Sequence, residues 1–343
     1  MINRYSRQEL FLGKEAQRKV QDSSVIIIGA GALGSSSAEM LARAGVGKLT
    51  IVDRDYVEWS NLQRQQLYSE DDAKNKLPKA AAAKNRLQQI NSEITINRLI
   101  EDVNGLNIEE MIKGHGVIVD ATDNFETRLI VNDAAVKHSI PFIMGACVAS
   151  YGTIFPIIPR ETPCLHCLLN HLPIDGMTCE TVGVLSPIVQ IVASWQVTHV
   201  LKILAGVQVP PVLKSIDIWK DENSAIDVAR LKDENCPTCG VEAAFPYLQY
   251  GNQTKTEVLC GRDAVQIRPA AARTFELKVF MEKLKDIITK PLINPFLLSC
   301  GFEDYRIVFF QDGRAIIHGT NDTMIARSVY NRFLQYYTES SLS

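Results

Sequence analysis

Between Val25 and Gly34 the chain reads VIIIGAGALG: an apolar, β-branched run stops at a glycine-rich turn and gives way to helical periodicity over Leu33 to Ala44. A second apolar run, Lys48 to Asp53, ends on an acid nineteen positions after Gly34. The two runs and the helix between them form a β-α-β unit. Gly29, Gly31 and Gly34 permit a tight turn and close approach of backbone to a phosphate. The first N–H groups of the helix and its dipole favour an anion there. Asp53 is placed to accept hydrogen bonds from a pair of ribose hydroxyls. By itself the motif specifies an adenine nucleotide, and its usual owner is an NAD-dependent dehydrogenase.

Further strand-like segments follow at Ile94 to Leu99, Gly116 to Asp120, Phe142 to Ala146 and Gly152 to Ile158. Helical patterns lie between several of them, around Lys79 to Ile90 and Glu126 to His138. Such alternation predicts an α/β fold: a Rossmann-like, doubly wound, mostly parallel sheet with helices on both faces. Glu161 to Val184 shows no sustained period and reads as a crossover loop, followed by a long helix after Ser186 and a strand around Ser215 to Trp219. This predicts a first domain over residues 1–243.

Residues 244–343 have a different character and predict a small C-terminal α+β domain. Thr256 to Arg268 reads as two short strands, Phe275 to Thr289 as an amphipathic helix and Thr323 to Tyr337 as a closing helix. Arg306 to His318 reads as a hairpin turned at Asp312-Gly313.

A net charge of −3 gives no basic field for nucleic acid or an anionic membrane surface. The most apolar stretch, Pro187 to Gly206, contains Gln190, Gln196, His199 and Lys202, which favours a buried helix over a membrane span. With a polar, charged N-terminus, the chain reads as cytoplasmic.

Beyond the β-α-β unit, Asp53 opens the segment DRDYVEWSNLQRQ, and Lys79 follows in LPKA. A redox cofactor has no need of Asn61, Arg64 and Lys79 past the ribose-binding acid. A reacting triphosphate has, because its charge must be neutralised as a P–O bond breaks. The bland reading is a solvated, mixed-charge surface. Asp120-Ala-Thr-Asp123-Asn ends an apolar strand, where α/β sheets bind ligands. A carboxylate facing a triphosphate there would hold Mg²⁺; capping of the next helix is the alternative, and the two are compatible.

The eight cysteines do not form a disulfide scaffold. Cys164/Cys167 and Cys236/Cys239 are two C-x-x-C knuckles whose four thiolates suit a closed, structural Zn²⁺ site. A redox dithiol is the rival reading and leaves the duplicated spacing unexplained. Cys179, in GMTCETVG, is a lone loop cysteine, and the sequence does not reveal the exposure or lowered pKa that a nucleophile requires. Cys300 to Arg306 has the spacing of a rhodanese or phosphatase loop but runs into the strand-like RIVFF, so it reads as chance.

Taken together, the segments RYSRQ (Arg4 to Gln8), GAGALG, Asp53 to Gln65, LPKA, DATDN, PCLHC, MTCETVGVLSP and CPTCG resemble the ThiF/MoeB/HesA family, bacterial relatives of ubiquitin-activating E1 enzymes. The resemblance covers Arg4 to about Gly240. It implies an ATP-dependent adenylyltransferase that forms an acyl-adenylate on the C-terminal glycine of a ubiquitin-fold sulfur carrier, ThiS-like or MoaD-like, for thiamin or molybdenum cofactor synthesis. In that reading Gly29, Gly31 and Gly34 hold the ATP phosphates and Asp53 the ribose. Asn61, Arg64 and Lys79 contact the reacting phosphates, and Asp123 binds Mg²⁺. Arg7 corresponds to an arginine that enters the neighbouring subunit's site, which implies a homodimer. Cys179 falls where ThiF-type members carry the cysteine that links to the carrier. A sulfur donor such as a cysteine desulfurase is a further implied partner. Adenylation of another peptide, a non-catalytic scaffold and an NAD-dependent oxidoreductase are the alternatives. The C-terminal domain matches no rhodanese domain.

Overall fold

The computed structural model describes residues 3–171, 182–249, 255–259, 263–269 and 274–339. The chain forms two compact units, Met1–Gly251 and Asn252–Ser343.

The first unit is built on eight strands: β1 (Ser24–Ile28), β2 (Lys48–Val52), β3 (Thr95–Leu99), β4 (Val117–Asp120), β5 (Phe142–Val148), β6 (Tyr151–Ile157), β7 (Val212–Asp217) and β8 (Glu222–Asp227). They lie in the order β3-β2-β1-β4-β5-β6-β7-β8. The first five run parallel, and β6, β7 and β8 are antiparallel. The sheet is therefore mixed, with its parallel part where the β-α-β pattern is written. β1 alternates between two cores, with Val25 and Ile27 in one and Ile26 and Ile28 in the other. A strand buried on both faces has to be apolar throughout, and each of these side chains contributes about 1.5–3 kcal/mol.

Helices cover both faces. Ahead of β1 lie α1 (Ser6–Leu12) and α2 (Lys14–Gln21). α3 (Ala32–Ala44), α4 (Glu70–Lys74) and α5 (Lys79–Ile90) follow in the first half. α3 and α5 supply Leu41, Ala80, Ala83 and Leu87 to the first core. α6 (Ile108–Ile112), α7 (Phe125–Lys137) and α8 (Leu165–Leu169) supply Ile108, Val131, Ala134 and Leu168 to the second. α8 lies inside the segment read from sequence as a crossover loop; five residues are too few to show a period.

α9 (Ser186–Leu204) is long and apolar enough to cross a membrane by composition. It buries Ile188, Val192 and Val200, and its Gln196 is sealed from solvent. Gln196 Nε2 donates to the carbonyls of Asp120 (2.5 Å) and Ile143 (3.1 Å), tying the helix to the ends of β4 and β5.

The second unit is a six-stranded antiparallel sheet of β9 (Lys255–Leu259), β10 (Ala264–Arg268), β11 (Ile288–Ile293), β12 (Leu297–Phe302), β13 (Tyr305–Phe310) and β14 (Ala315–His318), ordered β11-β12-β13-β14-β10-β9. α10 (Leu277–Leu284) and α11 (Thr323–Glu339) pack on it through Phe280, Leu284, Val329 and Phe333. The helix expected over Phe275 to Thr289 is shorter: it stops at Leu284, and β11 takes up Ile288 and Thr289. Cys300 lies on β12 and Arg306 on β13, across a hairpin in which Gly301 pairs with Arg306, so no anion-binding loop joins them.

Candidate functional site

The carboxyl ends of β2, β1 and β4 are neighbours, and the glycine turn leaves β1 between the other two. Gly29 N–H bonds the Val52 carbonyl at 2.8 Å, and Ala121 N–H bonds that of Ile28 at 2.8 Å. Gly29 has φ +94°, and a Cβ on it would lie 2.5 Å from the Ala121 carbonyl oxygen. A Cβ on Gly34 would lie 1.9 Å from the Gly29 oxygen, so α3 packs directly on its own turn. Gly31 differs: the nearest atom to a Cβ there is Gln65 Nε2, 3.8 Å away. The backbone is therefore open at Gly31.

Asp53 holds the turn. Its Oδ2 accepts the Ala30 N–H at 2.6 Å and its Oδ1 the Asp55 N–H at 2.7 Å. Each oxygen keeps a second lone pair, so a ribose could still bond there. Burial pushes the carboxyl up, and Lys79 pulls it back. From the far side, Tyr68 Oη donates to the Ala30 carbonyl at 2.5 Å.

Three of the residues expected to meet phosphate sit in distinct environments. Asn61 is buried, and its Oδ1 accepts the Glu58 N–H at 3.0 Å, so it shapes the turn that carries Arg64. Arg64 is half-buried and donates to the Ser60 carbonyl at 2.9 Å. Among the described residues it has no carboxylate partner. Lys79 is buried at the start of α5, where Nζ meets Asp55 Oδ2 at 3.0 Å and its N–H bonds the Asp55 carbonyl at 2.8 Å. Arg7 is exposed on α1 beside Leu10 and Phe11, which are also exposed. Tyr5, two residues before it, is anchored: Asn91 Nδ2 donates to its hydroxyl at 2.9 Å.

The DATDN segment divides its labour. Asp120 is sealed, with Oδ2 2.6 Å from Arg128 Nε and Oδ1 accepting the Thr122 hydroxyl at 2.6 Å. Burial raises its pKa, and Arg128 opposes that rise. Asn124 caps α7 by accepting the Thr127 N–H at 2.8 Å. Asp123 is the exposed carboxylate of the segment, and its Oδ1 accepts from Asn124 Nδ2 at 3.5 Å. Arg128 itself escaped the sequence reading. Its signal was an aspartate ending a fully apolar strand, which demands a cation, with an arginine on the next helix.

The four knuckle cysteines converge in the same unit. Their sulfurs lie within 4.8 Å of one another, with Cys164–Cys167 at 3.9 Å, Cys164–Cys236 at 3.6 Å and Cys167–Cys239 at 3.4 Å. Metal–sulfur bonds of about 2.3 Å in a tetrahedron require sulfurs about 3.8 Å apart, so the spacing fits a four-thiolate metal site. Cys179 lies outside the described residues.

The ThiF family model matches residues 5–238. The sulfur carrier protein ThiS adenylyltransferase of Bacillus subtilis is 55% identical over 97% of this chain and 100% of its own length. Its Escherichia coli counterpart is 34% identical over 71% of this chain and 97% of its own. Among solved structures, E. coli MccB with ATP superposes with a TM-score of 0.60 at 23% identity, over 70% of this chain and 75% of that one. That likeness concerns the fold. With a family match across nearly all of the first unit and a relative alike from end to end, the chain belongs to the ThiF family.

Proposed function

We propose that this protein adenylates the C-terminal glycine of a ThiS-type sulfur carrier. The carrier's terminal carboxylate, already ionised at neutral pH, attacks the α-phosphorus of ATP. A C–O–P bond forms, the bond from the α-phosphorus to its bridging oxygen breaks, and pyrophosphate leaves with the electron pair. No general base is needed.

The observation that carries this reading is the placement of Arg64, which has no carboxylate partner among the described residues, next in the chain to Gln65, whose Nε2 is the nearest atom to a Cβ built on Gly31. A cation held there serves charge that grows during the reaction. Asp53 takes the ribose, Gly29, Gly31 and Gly34 the phosphates, and Asn61, Arg64 and Lys79 the reacting oxygens. Asp123 would hold Mg²⁺, which supplies charge neutralisation when bound. Cys164, Cys167, Cys236 and Cys239 would hold Zn²⁺ in a closed, structural site. The test is ATP–pyrophosphate exchange with ThiS-like and MoaD-like carriers in turn. Exchange dependent on the ThiS-like carrier is expected; none with either would remove the reading.

A homodimer completes the site through Arg7, and the exposed Leu10 and Phe11 on the same helix give such an interface apolar surface. Mixing Arg7→Ala and Arg64→Ala chains should restore about a quarter of parent activity, because half the dimers are mixed and each carries one intact site. Lack of restoration would place Arg7 in its own chain's site. Cys179 serves the later sulfur transfer, with a cysteine desulfurase as donor. Cys179→Ala should keep exchange and lose thiocarboxylate formation on the carrier. The setting is the cytoplasm, where the four thiols stay reduced.

A further inference from the structure

α7 carries two adjacent polar residues, Asn132 and Asp133, sealed within the apolar stretch IVNDAAV. Burying such groups costs stability unless they are bonded. Both reach the four-cysteine centre, one to each knuckle. Asn132 Oδ1 accepts the N–H of Leu165, which lies between Cys164 and Cys167, at 2.9 Å. Asp133 Oδ1 accepts the hydroxyl of Thr238, which lies between Cys236 and Cys239, at 2.6 Å, and its Oδ2 accepts the Tyr247 N–H at 2.9 Å. In the first turn of the same helix, Arg128 bonds Asp120 and also the carbonyls of Thr122 (2.7 Å) and Gly145 (3.1 Å). The helix is thus fastened to the strand ends by its first turn and to both knuckles by its third.

We propose that the four-cysteine centre is a positioning element for the nucleotide site. By closing both knuckles it fixes α7 along its axis, and with it the Asp123–Asn124 segment at the helix N-terminus, about 15 Å away at 1.5 Å per residue. Asn132 and Asp133 are the positioning residues. The proposal rests on reading the glycine turn and Asp123 as an Mg²⁺·ATP site. A helix tied at both ends couples the two sites, and coupling between binding sites is reciprocal. Nucleotide should therefore tighten the metal as much as the metal tightens the nucleotide. A purely local role for Asn132 and Asp133 predicts no such effect.

The test is the zinc affinity of the full chain by equilibrium competition with a chelator, with and without saturating Mg²⁺·ATP. In the parent, nucleotide should tighten zinc about fivefold or more. Thr238→Ser keeps the hydroxyl and should keep that factor. Thr238→Val should reduce it below about twofold, while still binding one zinc per chain. Calorimetry on the same samples reports whether nucleotide binds. Unchanged zinc affinity with nucleotide bound overturns the proposal, and so does Thr238→Val with the full factor retained. No nucleotide binding overturns the reading beneath it and this proposal with it.

Discussion

Arg128 Nε lies 2.6 Å from Asp120 Oδ2, and both side chains are buried at the point where β4 gives way to α7. Removing one member of a buried ion pair leaves the other charge unpaired. Arg128→Met should therefore cost about 3–5 kcal/mol in chemical denaturation. The double variant with Asp120→Asn should recover most of that loss, because no charge is then stranded.

Arg64 and Lys79 should separate catalysis from stability. Arg64→Ala removes a half-buried cation that has no ion-pair partner among the described residues, so stability should stay within about 0.5 kcal/mol. Exchange should fall about 100-fold or more. Lys79→Met should lose exchange and also about 3 kcal/mol, since the largely buried Asp55 loses the cation 3.0 Å away. Equal stability losses in the two variants would contradict the contrast in their surroundings.

Metal analysis should find one zinc per chain, and Cys167→Ser should lower both zinc content and thermal stability. Ordinary thiols must ionise to bind, so metal affinity should fall with acidification.

His199 should give stability a pH slope. Burial, followed by the charges of Lys202 and Lys214, lowers it to about 4. Between about 4 and its unfolded value near 6.5 the unfolded chain binds more protons, so stability rises with pH in that window. It is fully present above 6.5 and lost as pH falls through 4. The contribution is on the order of 3 kcal/mol. His199→Leu should flatten the slope in denaturation midpoints measured from pH 4 to 7.

What the sequence disclosed follows the strength of its local patterns. The strand–glycine–helix unit is legible because β1 is apolar throughout and the turn needs glycine at 29 and 34. Lys79–Ile90 is legible from its run of helix formers. β8, ENSAID, is an exposed edge strand, and without a buried face it has no alternation to read. β11 was absorbed into the preceding helix because Phe280, Leu284, Ile287 and Ile288 continue helical spacing, whereas its own stretch, ITKPLI, contains a lysine and a proline. In the site, neither Arg128, Asp133 and Thr238 nor the pairings they make can be named from the sequence. Arg128 with Asp120, and Asp133 with Thr238, depend on where strand ends and helix turns meet in space.

All six residues of β8 are exposed, and it is the last strand of its sheet. An open edge offers backbone N–H and C=O groups to any passing chain, the route by which sheets of different molecules fuse. Here acids stand at both ends of the strand, Glu222 and Asp227, with Lys220 just before it. Like charges repel when two such edges meet in register. These residues therefore guard solubility, and replacing both acids with threonine would turn a quiet border into a seed for aggregation.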